Sequence, residues 1–347
     1  MRTPILFAAL SAGAAIFSPA AAQQTSHAGA DKVLITDFIG TVHVKTVASG
    51  AVRLNRTAGD DASYPLEVRE DGSVLIVHSD EDPDENRWHD RVNWRRNHED
   101  AFRIFLEDYP TLSLTIPAGT SLEFESAVIM LDADNTMSAL KISGGHVDGY
   151  LGDLASADIG IHGSGDLKVG DVAGALAISI HGSGDFIGGS AASLAANIHG
   201  SGDIKVVNIG AASSADIHGS GDIEIGDING PFEASIHGSG DIDAGNVKGG
   251  ADLSIQGSGD ISLASVAGES RASIHGSGDM DIATGRADRL FVDLSGSGGF
   301  DFGGVAINPD IRANNSASVF IRSHEGTVRA RGRGDIRVSG VDYSDDD

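Results

Sequence analysis

The chain has 347 residues, with 50 Asp and Glu against 24 Lys and Arg, a formal net charge of −26, and no cysteine. So acidic a surface is a poor match for nucleic acid or an anionic membrane and suits cations, basic proteins or neutral glycans better. Without a thiol it forms no disulfide and carries no lipidated-cysteine anchor, and 47 glycines beside 5% aromatics suit tight turns and thin coils rather than a thick core.

Residues 1–22 read as a signal peptide: Arg2 gives the positive end, Ile5 to Phe17 the apolar run, and Ala20-Ala21-Ala22 the cleavage site. That run is too short to span a bilayer, and no later segment approaches about 20 apolar residues. The expected product is exported, periplasmic or secreted to the cell surface, without a membrane span. After a short leader, residues 31–119 form an N-terminal β-strand region. Val33-Leu34-Ile35, Val42-His43-Val44, Leu66-Glu67-Val68 and Ser73-Val74-Leu75-Ile76-Val77 alternate with period two between turns at Gly40, Gly50, Gly59-Asp60-Asp61 and Asp71-Gly72. A charged insertion, residues 80–101, interrupts them. It reads as a solvated loop or short helix whose Trp88 and Trp94 pack on the sheet, or as a ligand-binding loop anchored by the same two tryptophans. Strand patterning resumes at Leu112-Ser113-Leu114-Thr115-Ile116.

From residue 120 to 341 the chain repeats itself. The phrase Ile-His-Gly-Ser-Gly-Asp plus an apolar residue begins at Ile161, Ile180, Ile198, Ile217, Ile236, Ile255 and Ile274, with steps of 19 or 18 residues and Gln256 in the one changed histidine slot. Weaker copies flank these at Ile142, Leu294 and Arg331. A short, regular period of this kind predicts a solenoid, since one unit cannot bury its apolar face alone. Within a unit, Leu176, Ile178, Ile180 and Phe186 share one parity and point inward, while His181, Ser183 and Asp185 point outward. The predicted fold is all-β: a single-stranded parallel β-helix of about 19 residues per coil, right-handed as parallel crossovers are. The glycines then serve a sharp corner or a close approach of opposite faces. Residues 342–347 form an acidic tail.

Stacking at about 4.8 Å turns each repeated position into a ladder. Asp166, Asp185, Asp203, Asp222, Asp241, Asp260 and Asp279 form an acidic one, and neighbouring carboxylates at that spacing repel by about 0.9 kcal/mol at the dielectric of water. Either each Asp accepts hydrogen bonds from the amides of its own turn, or the ladder binds cations, with calcium the candidate. The Gly-Gly-x-Gly-x-Asp spacing of calcium β-rolls is not met. His162, His181, His199, His218, His237 and His275 form a second ladder, read as a stacked polar array because a zinc site needs convergent ligands. Protonating it below about pH 6.5 would add like charges at close spacing. The His, Ser and Asp of one phrase do not make a catalytic triad, because residues two apart on a strand lie about 6.5 Å from one another. Arg333-Gly334-Asp335 is an integrin tripeptide by letter but occupies the Ser-Gly-Asp slot of a terminal coil.

The Ile-His-Gly-Ser-Gly-Asp-Ile phrase behind a signal peptide resembles the bacterial "putative auto-transporter adhesin, head GIN domain" family and related adhesin repeat domains. The likeness spans about residues 31–340 and is strongest over 142–300. It implies an exported β-solenoid assigned to adhesion, with no established reaction. The chain ends in Asp345-Asp346-Asp347 rather than an aromatic-rich membrane strand, so it is not expected to be a complete auto-transporter. The expected function is a non-enzymatic, adhesin-like or cell-envelope binding module without a cofactor. Its partner would be a cell-surface glycan or an envelope protein, met along a ladder face or through Trp88 and Trp94. Cation binding by the Asp ladder is the alternative, and only Asp90, Glu99, Asp100, Glu107 and Asp108 offer irregular carboxylates for a glycan-cleaving site.

Overall fold

A computed structural model of the chain describes residues 24–58, 64–79, 98–135 and 138–344. Residues 1–22, expected as a signal peptide, lie outside the described residues with Trp88, Trp94, Asp90 and the last three aspartates, as do the side chains of Glu99 and Asp100. The chain divides into two compact units, residues 1–130 and 131–347.

In the first unit, period-two patterning becomes short strands. These are β1 (Gln24–His27), β2 (Lys32–Thr36), β3 (Ile39–Val47), β4 (Val52–Ala58), β5 (Leu66–Asp71), β6 (Val74–Ser79), β7 (Thr111–Pro117) and the start of β8 (Ser121–Ala133). β2 pairs in parallel with β6 and β8, and β3 with β7. β3 also pairs with β8, and β1–β4, β4–β7 and β5–β6 are antiparallel additions. Val33 and Ile35, Leu75 and Val77, and Leu112, Leu114 and Ile116 alternate inward and are almost fully buried. Among the described residues there is one helix, α1 (His98–Leu106), which begins in the last residues of the charged insertion. Its Ala101, Phe102 and Leu106 bury against Ile39, Tyr109 and Val128, with Phe105 and Tyr64 against Tyr109 at 5.0 and 4.8 Å between ring centroids. The spacing of Ala101, Phe102, Phe105 and Leu106 is a helical face of one and a half turns, too short to stand out beside the strands.

The second unit is a parallel β-solenoid of roughly 19 residues per coil. Its first face stacks β10 (Ser156–Gly163), β12 (Val172–Gly182), β14 (Ala191–Ile198), β16 (Ser213–Ile217), β18 (Phe232–Ile236) and β20 (Ala251–Ile255). Residue registers step by 19 or 18, so Ile161, Ile180, Ile198, Ile217, Ile236 and Ile255 form one column. Every member of that column is fully buried. After the Gly-Ser-Gly-Asp segment comes a second face of three-residue strands, β11 (Leu167–Val169), β13 (Phe186–Gly188), β15 (Ile204–Val206) and β17 (Ile223–Ile225). Leu154, Val172, Ala191, Ile209, Ile228 and Val247 make a third inward column near the corner that returns the chain. The core is thus built of apolar columns from all three faces, with Leu176, Ile178 and Ile180 heading inward columns on the first and Leu167 and Val169 on the second.

The two glycines of the phrase line the bend between the first and second faces, where Gly163 and Gly182 take φ of 116° and 150°, and the stack makes a second demand on them. Each lies directly over its counterpart in the preceding coil. A Cβ on Gly184 would sit 2.2 Å from the Gly165 carbonyl oxygen, and one on Gly221 would sit 2.0 Å from that of Gly202. Any side chain would push the coils apart and break the ladder between them. Gly221→Ala is therefore expected to cost about 1–3 kcal/mol or more by overpacking. Gly210→Ala, where the new methyl meets nothing closer than 3.4 Å, should stay within about 0.5 kcal/mol. Urea denaturation of the two variants checks the contrast, and equal midpoints would contradict it.

Candidate functional site

The aspartate ladder is engaged with backbone. Oδ1 of each Asp accepts the N–H of the equivalent residue one coil on. Asp166 receives it from Asp185 at 3.0 Å, Asp185 from Asp203 at 3.0 Å, Asp203 from Asp222 at 2.9 Å, and Asp222 from Asp241 at 2.9 Å. The row continues through Asp241 and Asp260, at 2.8 and 2.7 Å, to Asp279, which accepts from Gly299 at 2.6 Å. Asp148, in the weak first copy, starts it by accepting from Asp166 at 2.7 Å. The donor is thus the next coil rather than the residue's own turn, which corrects the expectation. The backbone carbonyl of the same aspartate serves the coil on the other side: Asp185 and Asp222 accept the N–H of Leu167 and Ile204, each at 2.9 Å.

A second row of the same kind runs along another corner. Asn135, Asp153 and Asp171 accept from the amides of Asp153, Asp171 and Ser190 at 3.0, 2.9 and 2.7 Å. Asn208 and Asp227 accept from Asp227 and Asn246 at 2.8 and 2.9 Å. The amide of Asn246, followed by its side-chain Nδ2, holds the Asp227 carboxyl below its ordinary value. In sequence these residues read only as turn formers. The signal that could have found them is their recurrence at 18 or 19 residues with Asn and Asp interchanged.

The histidines are exposed and stack. Ring centroids of His181, His199, His218 and His237 follow one another at 4.9, 4.8 and 4.7 Å with rings within 3° of parallel. His162 meets His181 at 4.9 Å edge-on, at 64°. Gln256 then interrupts the column, and His275 lies beyond it. Parallel rings present their edges to solvent and do not converge on a single ion. Partial burial, then the neighbouring His181 and His218, lowers the His199 pKa below its ordinary value, against a smaller raising effect of Asp216.

On either side of the histidines run outward columns of small polar residues. One holds Gly160, Ser179, Asn197, Asp216, Ser235, Ser254 and Ser273. The other holds the phrase serines Ser183, Ser201, Ser220, Ser239, Ser258 and Ser277. Their amides donate to the glycine carbonyls of the preceding coil at 2.7–2.9 Å. The hydroxyls nearest to histidine belong to the first column: Ser179, Ser235 and Ser273 lie 3.4, 3.3 and 3.3 Å from Nδ1 of His181, His237 and His275. The phrase serine, histidine and aspartate are not brought into a hydrogen-bonded chain. Among the described residues no three His, Asp or Glu side chains gather where they would hold one metal ion. Glu107 and Asp108 are exposed beyond α1. Asp335 of the tripeptide sits beside Arg337 at 3.2 Å.

Two expectations follow. Asp222→Ala leaves the Asp241 amide without its acceptor and should cost about 1 kcal/mol, whereas Asp222→Asn keeps an oxygen there and should be near neutral. Equal losses in urea melts would refute the inter-coil role. For His199 the neutral ring is favoured in the folded state, so the unfolded chain binds more protons as pH falls. Its contribution is complete above the unfolded value of about 6.5 and is lost as pH drops below that toward the lowered folded value. The urea midpoint should fall between pH 7.5 and 5.5, by less in His199→Gln; identical shifts in both proteins would count against it.

Solved structures to which the chain is similar include a "putative adhesin" from Parabacteroides distasonis ATCC 8503, 12% identical over 81% of this chain and 96% of that one, TM-score 0.40. A second, from Bacteroides fragilis NCTC 9343, is 14% identical over the same shares, TM-score 0.35. A third, described as a "putative lipid binding protein" of Parabacteroides distasonis ATCC 8503, is 17% identical over 84% and 96%, TM-score 0.34. No curated protein matches the chain. Among the described residues no helix is long and apolar enough to cross a membrane. The family model "Putative auto-transporter adhesin, head GIN domain" matches residues 134–247 and again 247–341, so the two matches together cover the solenoid. The chain belongs to that family.

Proposed function

We propose that the protein is an exported, non-enzymatic, adhesin-like binding module, and that its contact face is the stripe of histidines flanked by hydroxyl columns. The observation that carries this reading is a division of labour within the phrase. Isoleucine fills the core, the glycines admit the next coil, and the aspartate answers an amide, so packing and hydrogen bonding dictate all of these. The outward histidines stack on one another, but the fold does not require them, since Gln256 fills the same slot, yet histidine recurs in six of the seven copies. A lattice repeating at 4.7–4.9 Å along the stack offers imidazole and small polar side chains at successive coils. Such a surface suits a partner that itself repeats, a cell-surface glycan before an envelope protein. Membership of an adhesin family agrees with this role.

The test is binding to intact cell envelopes and to a glycan array at pH 7.5. His181→Glu/His199→Glu/His218→Glu should weaken binding at least tenfold with an unchanged fold by circular dichroism. Trp88→Ala/Trp94→Ala should leave it unaltered. Binding lost only in the tryptophan variant would move the contact to the 80–101 insertion and overturn the ladder reading.

A further inference from the structure

We propose that this stripe binds a linear, carboxylate-bearing glycan, held by the protonated histidine column together with arginines at its C-terminal end. The inference rests on the stripe being the contact face and names its ligand class.

Three observations support it. First, acid is kept off the stripe. In a chain with 50 acidic residues, the two columns flanking His181 to His275 hold one carboxylate, Asp216, and otherwise Ser and Asn. The aspartate ladder lies beyond the Gly-Ser-Gly segment, with one oxygen of each residue already on an amide. Second, the same sheet turns basic where the histidines end. β22 (Met280–Gly296), β24 (Asp310–Asn315) and β26 (Arg329–Arg331) continue the face. Their register puts Arg312 and Arg331 in the column of Ser273 and Asp293, and Arg329 in the column of Arg271, Phe291 and Asp310. Third, the imidazole edges are exposed and evenly spaced at 4.7–4.9 Å, so charging them creates a line of positive charge.

The groups that face the column are few. Ser179, Ser235 and Ser273 touch it through Nδ1, and Asp216 stands beside His199 and His218. Glu233 and Asp252 lie one column further out, with Arg271 next to Asp252 at 3.6 Å. Two adjacent imidazoliums repel by about 0.9 kcal/mol in a medium of water's dielectric, so the free column charges only in part. A polyanion laid along it relieves that repulsion and draws further protons in, which couples binding to pH. Above the histidine range the stripe is neutral and the net charge of −26 repels the same ligand. Hydroxyl columns beside the charges favour a sugar polymer over nucleic acid, which would look for aromatic stacking platforms.

The experiment uses the untagged protein with polygalacturonate as the probe, dextran as a neutral glycan and duplex DNA as the other polyanion. Affinity is measured at pH 5.5 and 7.5. Polygalacturonate should bind at least tenfold more tightly at pH 5.5, with net proton uptake by calorimetry in two buffers. Replacing all six histidines by Gln, a residue the slot already accepts at Gln256, should remove that pH dependence. Arg312→Ser/Arg329→Ser/Arg331→Ser should weaken binding at both pH values. Equal affinity at the two pH values, an unchanged six-Gln variant, or DNA binding as tight as polygalacturonate would each overturn the inference. Envelope binding at pH 7.5 that depends on the stripe, without polygalacturonate binding at either pH, would sink this inference while leaving the contact face intact.

Discussion

The whole second unit depends on one constraint: each coil must lie about 4.8 Å above the last, with its backbone hydrogen-bonded straight down. That spacing is set by the N–H to carbonyl bond and permits no side chain along the stacking axis. Where the strand bends through Gly-Ser-Gly, a Cβ would meet the carbonyl below at about 2 Å, so only glycine keeps the coils in contact. The 19-residue period then follows. Three short strands and their corners consume that length, and each coil must close at the point where it began.

The same constraint forces like side chains into line, which for aspartate is a problem in electrostatics. Repulsion between neighbouring carboxylates is about 0.9 kcal/mol per pair at water's dielectric. An amide hydrogen bond to a charged acceptor contributes about 1.5–3 kcal/mol. Each added coil brings one of each, so the hydrogen bond wins. The ladder therefore stabilises the stack without a counter-ion. The second corner solves the same problem differently, by interleaving neutral Asn135, Asn208 and Asn246 with Asp153, Asp171 and Asp227.

Much of the coil was legible in the sequence because period and parity are properties of a single chain. The burial of Ile180 and Phe186 and the exposure of His181, Ser183 and Asp185 follow from counting alone. What counting misses is any contact that depends on direction across the stack. The partner of Asp222 lies 19 residues away rather than in its own turn, and only three-dimensional stacking reveals it. Helix α1 was hidden for a different reason. Its apolar face is a single patch of Ala101, Phe102, Phe105 and Leu106, next to a charged insertion that masks the period. Antiparallel additions such as β4 on β7 also escape a reading tuned to parallel repeats.

The stripe differs from the rest of the phrase because the fold accepts another residue in its slot, as Gln256 shows. A solenoid surface is free to carry any soluble residue, and another outward column of this chain holds Glu224 and Asp243, with Asp281 and Asp301 further along it. There the neighbours interact enough that desolvation, and then Asp281, raise the Asp301 carboxyl above its usual range. Along the histidine column the same freedom yields imidazole flanked by hydroxyl, coil after coil. A strongly acidic chain that keeps this lane nearly free of acid, with Arg312 and Arg331 beyond it, would on the proposed reading attract an anion along the lane. That makes the histidines, the only side chains in the lane whose charge changes near neutral pH, the natural control point for what the face will hold.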